Sequence, residues 1–113
     1  MNNFREIFRK LDIGFSPDKE DKLVGYMEEI LELNRHINLT AITDREEFIK
    51  KHYIDSLLCV GYEEFKKAKT IIDVGTGGGF PGVPLAIAFP EKKFILIDSL
   101  NKRIKIINDL CAK

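Results

Sequence analysis

The chain has 113 residues, of which 44% are hydrophobic and 32% charged, and its 18 basic and 18 acidic side chains give zero net charge. This length suits one domain or part of one, and no apolar run approaches the roughly 20 residues of a membrane-spanning helix. The balanced charge lacks the basic excess that is typical of nucleic-acid-binding proteins. The N-terminus lacks the apolar core of a secretory signal, so we expect a cytoplasmic protein.

Helices are predicted for the first half of the chain. Ser16 and Pro17 are typical of a helix start, with serine as the N-cap and proline as the first helical residue. Asp44 is placed to cap a later helix in the same way. Apolar residues recur at three- and four-residue spacing in each segment, as in amphipathic helices. The predicted helices span residues 4–11, 17–37 and 45–60.

The pattern changes after Lys69. Residues 70–74 are β-branched except for Asp73, mostly apolar, and followed by glycine, which is typical of a strand buried on both faces. Residues 93–98 form a second such segment, with four apolar residues between Lys93 and Asp98. Residues 83–89, between the two, are predicted to be helical. The order strand, helix, strand predicts two parallel strands joined by a crossover helix.

The fold class predicted from these elements is α/β. The span from Ile71 to Asp98 is 28 residues, close to the roughly 30 of a βαβ unit. We predict a helical N-terminal cap over residues 1–69, followed by this unit and a last helix over residues 100–112. Because two parallel strands do not form an independent sheet, we expect the chain to be a truncated part of a longer protein.

A glycine-rich loop over residues 75–82 separates the first strand from the crossover helix, and we call this segment the glycine loop. Glycines let backbone N–H groups approach a ligand closely, and the helix that follows is expected to offer unpaired N–H donors at its start. Asp98 ends the second strand, 21 residues after Gly77. A carboxylate there can accept hydrogen bonds from both hydroxyls of a ribose. The pattern predicts a ligand that contains a nucleoside.

The charges near the glycine loop indicate which nucleoside. No lysine follows the glycines, so a P-loop is excluded. The dinucleotide pattern G-x-G-x-x-G is met by Gly77, Gly79 and Gly82, and this pattern alone is weak. Asp73 would oppose a diphosphate, whereas it would favour the sulfonium and ammonium groups of S-adenosylmethionine (SAM). SAM is therefore the predicted cofactor. A dinucleotide-dependent oxidoreductase domain is one alternative, and a loop that forms only a tight turn is another.

Four blocks of the sequence resemble one family. They are NLTAI at 38–42, HYIDSL at 52–57, DVGTGGGFPGVPLA at 73–86 and LIDSLNKR at 96–103. Together they resemble the N-terminal half of the RsmG (GidB) family of bacterial 16S rRNA guanine-N7 methyltransferases. The resemblance implies a SAM-dependent methyltransferase Rossmann fold, of which this chain holds the first βαβ unit. It also implies transfer of a methyl group from SAM to N7 of a guanine in 16S rRNA, with that RNA or the small-subunit particle as partner.

The resemblance adds residues to the predicted site. Gly75 and Phe80 match cofactor-contacting positions of the family, and the catalytic residues are expected beyond Lys113, so we expect this chain alone to be inactive. No metal is expected. The predicted cofactor-binding residues are Asp73, Gly75, Gly77, Gly79, Phe80 and Asp98.

Further residues have a functional and a structural interpretation each. His52 and Asp55 share one helix face, either at the rim of the cofactor pocket or as a polar pair that orients the helix against the sheet. Lys102, Arg103 and Lys105 would contact rRNA phosphates or form the solvated face of the last helix. A last alternative is that the chain is a non-catalytic fragment stabilised by oligomerisation.

Overall fold

A computed structural model of the chain describes residues 4–35, 44–98, 107 and 111. Its N-terminal part is helical, as predicted, with α1 at Phe4–Lys10 and α2 at Pro17–Asn34. The start of α2 is confirmed, because the Ser16 hydroxyl accepts the N–H of Lys19 at 3.2 Å and Pro17 is the first helical residue. The end predicted for this helix, near residue 37, lies outside the described residues.

The third predicted helix changes its type along its length. Asp44 caps it as predicted, accepting the N–H of Glu47 at 3.2 Å. The prediction of one α-helix is wrong, because the middle of the segment is a π-helix, in which each N–H pairs with the carbonyl five residues earlier and the turn is wider. The successive pieces are α3 (Arg45–Glu47), the π-helical segment (Phe48–Ile54), α4 (Asp55–Leu57) and a 3₁₀ turn (Leu58–Gly61).

A short helix, α5 (Glu63–Lys67), precedes the first strand and is capped by a distant lysine. The Lys92 ammonium donates to the carbonyls of Phe65, Lys66 and Ala68 at 3.1, 3.0 and 2.6 Å. It also lies 5.2 Å from the centroid of the Phe65 ring. A cation at a helix C-terminus satisfies carbonyls that have no partner within the helix. Lys92 thus fixes α5 against the turn before the second strand.

The predicted βαβ unit is confirmed. Strand β1 spans Thr70–Val74, α6 spans Gly82–Ala88 and β2 spans Lys93–Ile97. The strands are parallel, in a register that runs from Thr70 opposite Lys93 to Val74 opposite Ile97. Asp98 follows β2 directly. The chain is therefore a mixed α/β structure with a small parallel sheet.

Among the described residues, only one face of this sheet is covered. Ile72, Val74, Ile95 and Ile97 point to the other face and are 58%, 76%, 39% and 47% exposed. The prediction that β1 is buried on both faces is wrong for the described structure. The physical reason is that the single crossover helix packs on one side, and the described elements leave the opposite side open.

The hydrophobic core lies between the N-terminal helices and α6. Phe8, Leu23, Phe48 and Leu57 are fully buried in it, and α6 contributes Leu85 from the other side. Both α2 and α4 pack against α6. Within the described residues, no helix is both long and apolar enough to cross a bilayer. The core thus holds the N-terminal helices directly against the helix that follows the glycine loop.

Candidate nucleoside-binding site

The carboxyl ends of β1 and β2 meet at one edge of the sheet. The N–H groups of Gly75 and Thr76 both donate to the Ile97 carbonyl, at 2.6 and 3.0 Å. This pairing continues the parallel ladder and brings the glycine loop beside Asp98. Ligands of open parallel sheets bind at this edge. The structure therefore places Asp73 and Asp98 on either side of one loop, as the sequence predicted.

Asp73 holds the glycine loop in shape. Its Oδ2 atom accepts hydrogen bonds from the Thr76 hydroxyl at 2.6 Å and from the Gly82 N–H at 2.9 Å. The residue is buried, with 9% of its surface exposed. One carboxylate oxygen therefore fastens both ends of the loop. Contact between Asp73 and a cofactor stays a prediction.

The start of α6 differs from the expectation of unpaired N–H donors. The Gly82 N–H donates to Asp73, while Val83 and Leu85 donate to carbonyls of the preceding turn at 2.7 and 3.3 Å. Pro84 has no N–H to donate. That expectation is wrong, because the Asp73 carboxylate already occupies the helix start. The first turn of α6 keeps no N–H for a phosphate group.

Asp98 reaches the glycine loop from the second strand. Its Oδ2 atom accepts the Gly77 N–H at 2.8 Å, and the contact is partly buried. Gly77 has a φ of +58°, in the left-handed region that favours glycine, and this conformation directs its N–H toward the carboxylate. A carboxylate has about four acceptor positions, and the Gly77 N–H occupies one of them.

Gly79 lies where the glycine loop passes against α2. A Cβ atom there would overlap the Tyr26 hydroxyl and would lie 2.8 Å from Cγ2 of Val83. The Tyr26 hydroxyl donates to the Gly78 carbonyl at 2.9 Å in a buried contact. Burial raises the pKa of Tyr26, so the phenol stays protonated as a donor. This role of Tyr26 was not predicted from the sequence, where the signal for it is a phenol within an apolar helix face.

Phe80 packs in a group of aromatic rings beside the glycine loop. Its ring centroid lies 5.5 Å from that of Phe48, 6.2 Å from Tyr53 and 6.3 Å from Tyr26. The His52 ring is closest, at 4.0 Å, and stacks on Phe80 with an interplanar angle of 2°. From the sequence, His52 is expected either at the rim of the cofactor pocket or in a polar pair that orients the helix against the sheet. The structure stacks its ring on Phe80 of the glycine loop, and a place at the pocket rim stays a prediction.

Two further predictions concern the candidate RNA contacts and Gly75. Lys102, Arg103 and Lys105, the candidate RNA contacts, lie outside the described residues. Gly75 lies at the sheet edge with a φ of +71°. The described part of the chain contains no group of three or more histidine, cysteine, aspartate or glutamate side chains that could hold a metal ion.

A parallel βαβ unit with a glycine loop between two carboxylates is typical of α/β proteins that bind nucleoside cofactors. The chain belongs to the GidB family, described as rRNA small subunit methyltransferase G, whose family model matches residues 19–113.

Individual relatives agree with this assignment. The chain is 52% identical over 99 residues to the ribosomal RNA small subunit methyltransferase G of Clostridium perfringens strain 13. These matched residues make up 88% of this chain and 41% of the relative. The protein of the same name from Clostridium tetani is 50% identical over 98 residues, which are 87% of this chain and 41% of that relative. That of Clostridium novyi is 45% identical over 103 residues, with 91% and 42% covered. The chain thus spans about two fifths of the length of these curated relatives.

Proposed function

We propose that this chain forms the cofactor-binding part of a SAM-dependent methyltransferase that acts, in the cytoplasm, on N7 of a guanine in 16S rRNA. In this proposal residues 1–69 are a helical cap and residues 70–113 are the first part of a Rossmann-type domain. The observation that carries it is the Asp73 carboxylate at the start of α6, where a dinucleotide site would hold its diphosphate. Membership of the GidB family supports the same reaction.

Electrostatics favour SAM over a dinucleotide at this position. A buried carboxylate that already accepts the Gly82 N–H would repel a diphosphate and deprive it of its donor. The same charge attracts the sulfonium and ammonium groups of SAM, which has no phosphate. The pattern formed by Gly77, Gly79 and Gly82 is therefore a poor fit to a dinucleotide, although its spacing is correct.

The remaining predicted residues have compatible roles. Asp98, at the end of β2, is the proposed partner of the ribose hydroxyls. Gly75, Gly77 and Gly79 have positive φ angles. A Cβ would meet nothing within 4 Å at Gly75 and Gly77, which leaves space there for the cofactor, while Gly79 lets the loop approach Tyr26 and is proposed to act through the shape of the loop. Phe80 supplies an apolar border to the loop. These assignments describe one continuous binding surface along the carboxyl edge of the sheet.

The proposed reaction makes small demands on acid–base chemistry. SAM supplies an electrophilic methyl group, and guanine N7 presents a lone pair that needs no deprotonation. Holding the two in line can provide much of the rate enhancement. The contribution of this chain is therefore to bind and orient the cofactor. The groups that hold the guanine are expected in the part of the relatives that this chain does not cover.

Calorimetric titration tests the cofactor assignment. Residues 1–113 would be joined to the remaining part of the Clostridium perfringens relative, and S-adenosylhomocysteine and NADH would be titrated into this chimera. We expect binding of S-adenosylhomocysteine only, and transfer of labelled methyl from SAM to small-subunit rRNA. Binding of NADH in its place would overturn the proposal.

Matched variants of the chimera test the site. Asp98→Ala should weaken S-adenosylhomocysteine binding by ~1–3 kcal/mol, the scale of a lost hydrogen bond to a charged group. Glu91→Ala removes an exposed acid from the turn before β2 and should leave the affinity unchanged. Equal affinity of the two variants would remove Asp98 from the site.

A further inference from the structure

The π-helical segment, Phe48–Ile54, directs three aromatic side chains to one ring of the glycine loop. Phe48, His52 and Tyr53 stand at positions i, i+4 and i+5. In a π-helix, whose hydrogen bonds join residues five apart, these positions lie on the same face. All three rings contact Phe80. An α-helix would rotate one of them away, so the unusual helix type has a direct consequence at the loop.

His52 contacts Phe80 in a different way from the other rings. Phe48 and Tyr53 are fully buried and meet Phe80 at interplanar angles of 77° and 59°. His52 is only partly buried, and its ring lies parallel to that of Phe80. Tilted contacts fill space around Phe80, whereas a parallel stack also restrains the plane of its ring.

Phe80 is coupled to the backbone of the glycine loop on both sides. Its N–H donates to the Thr76 carbonyl at 3.1 Å. Two residues later, the Gly82 N–H is held by Asp73 at 2.9 Å. A displacement of Phe80 as a whole, backbone and ring together, would therefore disturb this hydrogen-bonded turn. The stack with His52 opposes such a displacement from outside the loop.

We propose that His52 is a positioning residue, which acts through Phe80 to hold the glycine loop in its binding conformation. This inference rests on the proposed function only in naming SAM as the ligand that the loop binds. Holding a loop in place before binding lowers the cost of ordering it when the ligand arrives. The affinity for the cofactor should therefore depend on the stack more than the rate of methyl transfer does.

Two substitutions separate the stacked ring from the polar nitrogens of the imidazole. His52→Phe keeps a flat ring that can stack, and His52→Leu has similar bulk without one. Both variants lose the nitrogens alike, so the difference between them reports the stack. Lys51→Ala, on the exposed side of the same π-helical segment, is the control.

The first measurement is S-adenosylhomocysteine binding by the chimera, with kcat and KM for SAM in the methylation assay. We expect His52→Leu to bind about three- to tenfold more weakly and to raise KM with little change in kcat, on the scale of one aromatic pair. We expect His52→Phe and Lys51→Ala to stay within about twofold of the unsubstituted protein. Equal affinities of the phenylalanine and leucine variants, whether both normal or both weak, would overturn the inference.

A second measurement does not depend on any ligand. Amide hydrogen exchange of the glycine loop would be followed in the unliganded 113-residue chain and both variants. We expect faster exchange at Gly77 and Gly79 in His52→Leu than in His52→Phe, because the loop opens more often. Equal exchange would overturn the inference. If the unsubstituted chimera failed to bind S-adenosylhomocysteine, the proposed function would fail, and the exchange rates would still decide the role of His52.

Discussion

Asp73 and Gly82 lie nine residues apart in the chain, and the Asp73 carboxylate accepts the backbone N–H of Gly82 at 2.9 Å. This one bond joins the end of the first strand to the start of the crossover helix. It also replaces the anion that a helix start of this kind commonly binds. The same carboxylate thus shapes the loop and, in the proposed function, disfavours phosphate ligands.

Replacing Asp73 by alanine would leave the Gly82 N–H and the Thr76 hydroxyl without their acceptor. A buried donor left unsatisfied costs ~1–3 kcal/mol, so we expect the free energy of unfolding to fall by about 2–4 kcal/mol. Urea denaturation followed by circular dichroism would measure it. Asp73→Asn keeps one acceptor oxygen and should lose less. An alanine variant as stable as Glu91→Ala would show that the carboxylate does not hold the loop.

Tyr26→Phe tests the bond from α2 to the glycine loop. It removes only the hydroxyl that donates to the Gly78 carbonyl in a buried contact. We expect a loss of about 1–2 kcal/mol in the free energy of unfolding. Tyr62→Phe, at a tyrosine that is 67% exposed, is the matched control and should change little. Identical denaturation midpoints for the two variants would contradict the role given to Tyr26.

Lys92→Met tests the cap on α5. Methionine keeps much of the aliphatic stem and removes the ammonium that donates to three carbonyls at the end of this helix. A loss of about 1 kcal/mol is expected, because the contacts are partly exposed to solvent. Lys93→Met changes the neighbouring, exposed lysine and should have a smaller effect. A Lys93→Met variant that is less stable than Lys92→Met would contradict the role of Lys92 as the cap of α5.

The open face of the sheet should tolerate polar substitution. Ile72 is 58% exposed, so Ile72→Thr should alter the free energy of unfolding by no more than about 0.5 kcal/mol. Leu57 is fully buried, and Leu57→Ala should cost about 2–5 kcal/mol. Equal losses in the two variants would show that the face is covered.

The same face tests the hypothesis that the chain is stabilised by oligomerisation. Exposed apolar surface favours self-association, so light scattering should give a mass that rises with concentration. Val74→Lys, at a position 76% exposed, should lower that mass. A mass of one chain at every concentration, with or without the lysine, would reject the hypothesis.

Stability should depend on the protonation of His52. Burial lowers the pKa of His52 below its ordinary value of 6.5, and the nearby Asp55 opposes this shift only in part. The unfolded chain therefore binds the proton more readily, and the free energy of unfolding should rise with pH from the lowered pKa up to about 6.5. Urea denaturation between pH 5 and 8 would show this slope. It should persist in His36→Gln, which removes the other histidine, and vanish in His52→Phe.

Local sequence signals were sufficient for most elements of the fold. Ser16 and Pro17 start α2 because their preferred backbone angles and the serine hydroxyl act within one turn. Residues 70–74, of which all but Asp73 are β-branched, form β1 because packing on a pleated sheet suits such side chains. The glycine loop and its two carboxylates were predictable for the same reason, since the spacing between neighbouring strand ends is short.

The directions in which side chains point were harder to predict from the sequence than the helices and strands. The Oδ2 atom of Asp73 turns to Thr76 and Gly82, a role within the loop that was not predicted, while contact between Asp73 and a cofactor stays a prediction. The role of Tyr26 was missed, since its partner Gly78 is 52 residues away in the chain. Hydrogen bonds of this kind depend on how two elements pack, and no local pattern contains that information.

The amino-acid sequence by itself determined the order of the elements, the parallel βαβ unit and the membership of a methyltransferase family. Only the tertiary structure decided that a π-helical segment sets His52 against Phe80, and that the described elements leave one face of the sheet open. The physical reason is that turn chemistry and hydrophobic period act over a few residues. The type of a helix, and which faces of a sheet are covered by other elements, are set by packing between segments that are far apart in the chain.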